Sequence, residues 1–121
     1  MSTVHAPISD MLVTVKSREI QRGMSAELAG ETARAARHFL AAAHLELVLA
    51  KDYAQAGQDD MAFRSILSAA SCFWRAGQVE TARPLFEDLI QNFPNSATTV
   101  LDVAADLESK YPVSDSGCDS I

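Results

Sequence analysis

The sequence predicts an all-α domain of antiparallel helical hairpins, about four helices in all. Three observations carry this. Between residues 63 and 93 apolar side chains recur at three- and four-residue steps, the period of a helix with one buried face. Ala-Gly-Gln occurs twice, at 56–58 and 76–78, each time after one such run and before another, where glycine ends a helix in the left-handed conformation. Strand formers do not cluster beyond the N-terminal residues, while Ala, Leu, Glu and Gln dominate the middle. With 121 residues, 48% of them hydrophobic, the chain has apolar material for one small core.

Residues 1–24 are expected to form an arm, set off by Gly23. Ile8, Met11, Leu12 and Val15 fit a helical stripe capped at Ser9, but Leu12 to Val15 also has strand composition. The arm is either loosely packed or lies along a neighbouring subunit. A single helical domain is expected over 25–112. Its first helix runs from Ser25, a suitable N-cap, with Glu27 and Glu31 at the positive end of the dipole. Gly57 ends it, and Gly30 or Thr32 marks a bend or a later start. From His38 to Ala50 this helix is apolar nearly all round, so it is buried on more than one face. That points to a homodimer contact through Phe39–Ala50.

Two helices then flank Ala76-Gly77-Gln78. The first carries Phe63, Ile66, Leu67, Ala70, Phe73 and Trp74; the second carries Val79, Ala82, Phe86, Leu89, Ile90 and Phe93. So short a turn lays them antiparallel with apolar faces meeting. Tyr53 to Ala62 repeats in Phe73 to Ala82: aromatic, then Ala-Gly-Gln, then Ala, at an offset of 20 residues. The helix between the two turns therefore belongs to both hairpins. Pro94-Asn95 stops the second helix. A last helix, N-capped by Ser96, buries Val100, Val103, Ala104 and Leu107 and exposes Asp102, Asp106 and Glu108. Residues 113–121 are polar and expected to be a disordered tail.

The hairpin from Arg64 to Asn95 resembles a tetratricopeptide repeat, whose pattern is W-x2-L-G-x2-Y, then A-x3-F, then P. Ala82 and Phe86 supply the second element and Pro94 the third. Ile66, Ala69, Ala70 and Phe73 stand at the first-helix positions; Ala70 and Phe73 are usual substitutes, whereas Ile66 and Ala69 depart from the pattern. Members of the family often carry a proline early in the second helix, as at Pro84. The resemblance implies a right-handed superhelix whose first helices line a concave side that binds a peptide or a partner's helix. On that side it places Arg64, Leu67, Ser71, Trp74 and Arg75, with Thr98, Leu101 and Ala105 from the last helix. Helical spacing agrees: Arg64, Leu67, Ser71 and Trp74 step by three and four, off the Ile66–Phe73 line. An apolar segment with an acidic residue beside it would suit this surface. Alternatively, Trp74 and Leu67 pack against the long first helix and fill the groove internally. The clamp by which some members grip a C-terminal carboxylate is missing.

Charge excludes other classes of partner. The net charge is −6, and residues 41–121 hold five Lys/Arg against twelve Asp/Glu. That balance disfavours nucleic-acid phosphates and anionic membranes. Cys72 and Cys118 have neither CxxC spacing nor a nearby His cluster. Met1 to Ala6 does not lead into an apolar run, so a reduced, cytoplasmic location is expected. His38 and His44 are six apart, on different helix faces, which does not suit a metal pair; no cofactor is expected. Arg34 and His38 do not match the spacing of helical ribonucleases, and Phe39-Leu40-Ala41 lacks the Lys-Gly of phosphorelay modules. No phosphate loop, nucleophile elbow or catalytic carboxylate pair appears. The function expected is therefore non-catalytic: an adaptor or small co-chaperone that binds a peptide or helix. The alternative is a self-associating structural subunit with no peptide groove.

Overall fold

A computed structural model describes the backbone of residues 5–113 and the side chains of residues 10–113. The expected tail lies outside the described residues except for Val113, and so does Cys118. Five α-helices follow one another: α1 (His5–Leu28), α2 (Thr32–Gln55), α3 (Asp59–Arg75), α4 (Val79–Asn92) and α5 (Ala97–Lys110), with a 3-10 turn at Pro94–Ser96 before α5. No strand occurs among the described residues. Each helix packs chiefly on the next, α1 on α2, α2 on α3, α3 on α4, and α5 on both α4 and α3.

Three of the connections are the same turn. Gly30, Gly57 and Gly77 have φ of 77°, 77° and 86°. The amide after each glycine donates to a carbonyl five residues back: Glu31 to Ala26, Gln58 to Tyr53, Gln78 to Phe73. This satisfies helix-end carbonyls that would otherwise be orphaned, and the left-handed residue it requires is cheapest as glycine. The first of these turns is the later start expected at Gly30 or Thr32: the chain folds back at Ala29-Gly30-Glu31 and α2 begins at Thr32. It corrects one expectation, since Ser25 lies inside α1 rather than at an N-cap.

The expected arm is likewise corrected: it is α1, and it lies along α2 of its own chain. Its inner stripe is Leu12, Lys16, Glu19, Gly23 and Ala26, at steps of four and three. Gly23 and Ala26 are buried. Lys16 Nζ meets Glu46 Oε2 of α2 at 2.9 Å, and Glu19 Oε1 meets His38 Nδ1 at 2.7 Å. A stripe that mixes ions with small residues has no apolar periodicity to read. Gly23 does not divide the chain; it is where the Phe39 ring approaches α1, and a Cβ there would stand 3.0 Å from the ring.

The core runs along α2 and α3. Phe39, Ala42, Ala43 and Leu49 are fully buried, as are Ala69 and Ala70 opposite. The alanines allow close approach of the two helices. The all-round apolar character of α2 is therefore explained within one chain, since α1 covers one side and α3 the other. Of the stretch expected to mediate a homodimer, only Ala41, His44 and Val48 are exposed, and the rest of Phe39–Ala50 is covered within one chain. Pro84 sits inside α4 without ending it.

Candidate docking surface

The six residues expected to bind a partner fall into three environments. Arg64, Leu67 and Ser71 share one side of α3. Arg64 is exposed, Leu67 is half-buried against the core, and the Ser71 hydroxyl donates to the Leu67 carbonyl at 3.0 Å.

Arg75 points instead toward α1. Its guanidinium donates to Glu27 Oε1 at 3.0 Å and lies 4.3 Å from the Phe39 ring centroid. It also stands 5.6 Å from the Tyr111 ring. Burial, the largest single influence, pulls its pKa down, but the hydrogen bond to Glu27 and the charge and hydrogen-bond contributions of Glu27 and Tyr111 together outweigh it, and the net shift is upward. Burial likewise raises the Tyr111 phenol. Arg75 thus joins α3 to α1 and to the residue that follows α5. A guanidinium already ion-paired and stacked is not available to grip an acidic partner.

Trp74 is 4% exposed. Its indole N–H donates to the Tyr111 carbonyl at 3.0 Å, which satisfies the one polar group it would otherwise bury unpaired. Phe86 meets it edge-on, with centroids 6.4 Å apart, and the Arg83 guanidinium stands 5.6 Å from its ring. These partners stand on α4 and just after α5, and the indole is enclosed within the chain's own core.

Leu101 is the opposite case, an aliphatic side chain 56% exposed. It stands in a groove of about 390 Å³ between α4 and α5, together with Phe86, Ile90, Ala104 and Ala105, with Trp74 in the wall. Arg83, Glu87 and Glu108 supply its polar groups. So the structure brings Trp74 and Leu101 together at one groove and sends Arg75 elsewhere. A second cavity, of about 670 Å³, opens at the end of α3 between Arg75, Gln78, Glu80 and Tyr111. Pro112 and Val113 also line it.

Sequence reasoning missed the α4 side of the groove. Arg83, Glu87 and Ile90 recur at steps of four and three, off the Ala82–Phe86–Leu89 core line, and that spacing was the available signal. It also missed the buried Glu46, 1% exposed, whose Oε1 has no hydrogen-bond partner. A lone carboxylate in an apolar run, with a lysine one helix earlier, was the sign. Burial first, and then the charge of Glu46, push the Cys72 thiol up to about 11, which makes it a poor nucleophile. No group of three or more His, Cys, Asp or Glu among the described residues could hold a metal ion.

A family model described as tetratricopeptide repeat matches residues 64–96, which span α3, the Gly77 turn, α4 and the 3-10 turn. This segment is a tetratricopeptide-like helical repeat, and the all-α hairpin architecture agrees with it. Searches of the curated proteins and of the solved structures found no match. No helix among the described residues is long and apolar enough to cross a membrane.

Proposed function

We propose that this chain is a non-catalytic protein–protein interaction module, an adaptor or small co-chaperone, that seats an apolar helix or peptide in the groove between α4 and α5. The observation that carries this is Leu101. An aliphatic side chain more than half exposed beside Phe86, Ile90 and Trp74 is apolar surface rimmed by charge, the pattern of an interaction site. Repeats of this class bury their faces against the next helix in the array. Here α5 is the last described helix, and no further helix among the described residues covers its Leu101 side.

The exposed side of α3, with Arg64 and Leu67, is proposed as an accessory contact, where Arg64 could meet an acidic residue of the partner. A cytoplasmic setting is part of the same proposal. A pull-down that compares the native chain with Leu101→Glu is the test, with folding checked by circular dichroism. Loss of the captured proteins by the folded variant is expected. If the folded variant captures the same set, the groove is not the docking surface.

A further inference from the structure

We propose that the occupant of the α4–α5 groove is an exposed flank of α1 from a second copy, so that copies stack head to tail; this rests on the docking role of that groove. One flank of α1, a residue round the helix from the stripe that packs on α2, carries Met11, Val15, Arg18 and Arg22, at steps of four, three and four, all exposed. Met11 is 65% exposed and Val15 41%. The groove side of α5 carries Leu101, Ala105 and Glu108, also at steps of four and three. The two stripes read alike, apolar, then apolar, then charged, with opposite sign at the charged position. From the first apolar residue to the charge is seven residues on both, roughly 10 Å along a helix. Laid parallel, Met11 meets Leu101, Val15 meets Ala105 and Arg18 meets Glu108.

The electrostatics point the same way. Residues 1–40 hold five Lys/Arg against four Asp/Glu, while residues 41–121 are strongly acidic. Neither Arg18 nor Glu87 nor Glu108 has an ion-pair partner among the described residues. Arg22, itself more than half exposed, pairs with Glu19 at 3.0 Å, a contact at the surface weak enough to exchange. Each copy carries a net charge of −6, so copies repel in general, and the basic α1 face is where one can approach the acidic end of another. Stacked arrays need polar outer faces at both ends to stay apart, and here both ends keep exposed apolar side chains. Because the two patches differ, the contact is heterologous and does not close at a dimer.

Sedimentation velocity over a concentration series, at low and high salt, tests this with two folded variants. Met11→Glu with Arg18→Glu disables the α1 face, and Leu101→Glu disables the groove. The native chain is expected to grow in mean mass with concentration and to shrink again with salt. Each variant alone should stay monomeric, and their equimolar mixture should give a one-to-one dimer and nothing larger. A native chain that is monomeric throughout, a variant that associates like the native chain, or a mixture that stays monomeric overturns the proposal. If the native chain is monomeric while Leu101→Glu still abolishes capture of another protein, the occupant is wrong but the groove stands. If that capture also survives, both fall.

Discussion

Trp74 and Leu101 line one groove and call for opposite experiments. Trp74 is enclosed and hydrogen-bonded through its indole, so Trp74→Ala leaves a large cavity and should cost about 3–5 kcal/mol in denaturant unfolding. Leu101→Glu alters an exposed position, and the stability of the folded monomer should stay within about 0.5 kcal/mol of native. Trp74 is thus a probe of folding and Leu101 a probe of docking. The periodicity of α3 placed Trp74 off the main core line but could not show Tyr111 waiting for its N–H, because that partner is 37 residues away. Gly23 shows the same gap between spacing and contact. Its replacement by alanine should favour the helix by about 1 kcal/mol. The Phe39 ring 3.0 Å from the new Cβ is fully buried under the Arg75 guanidinium and cannot withdraw. Overpacking of this kind costs about 1–3 kcal/mol, so Gly23→Ala should lower the melting temperature; a rise would mean that the ring has room to move.

At the scale of elements, α1 depends on charge where the other helices depend on apolar faces. Lys16–Glu46, Glu19–His38 and Glu27–Arg75 tie it to α2 and α3. Lys16→Met strands a carboxylate that is 1% exposed, and should cost about 2 kcal/mol, less than a fully enclosed pair because Lys16 is partly solvated. The double change Lys16→Met with Glu46→Met should recover much of that loss, and urea unfolding of both variants checks the order. The Glu19–His38 contact gives a pH signature. The hydrogen bond from His38 is the main cause that lowers the Glu19 pKa below 4.5. A depressed carboxyl contributes stability that is complete above pH 4.5 and is lost as pH falls through its folded value, because the unfolded chain takes up the proton first. Glu19→Gln should flatten that acid limb of the stability curve relative to the native chain. These ties are why α1 was illegible. Sequence patterns report apolar stripes well, and an inner face of Leu12, Lys16, Glu19 and Gly23 is not one. By contrast, α3 and α4 were legible because their faces are apolar at helical period and Gly77 stands between them.

At the largest scale the described residues are a run of helices that cover one another in order, with apolar side chains exposed on α1 and α5. Its all-α hairpin architecture could be read from Gly57, Gly77 and the period of α3 to α5. At Gly30 the sequence showed a bend or a later start but not a full fold-back, because alanine-rich sequence on both sides continues a helical pattern through it. The docking surface was half legible. The resemblance to a tetratricopeptide repeat pointed to Leu101, but only the packing of α4 beside α5 adds Ile90 and Glu87 and sends Arg75 elsewhere. The most direct test of the groove is a photo-reactive side chain in place of Leu101, with another at Val48, which is 54% exposed on α2, as the control. Irradiation should join position 101, and not position 48, to a partner protein or to α1 of a second copy. Adducts formed equally from both positions, or from position 48 alone, would contradict a docking surface between α4 and α5.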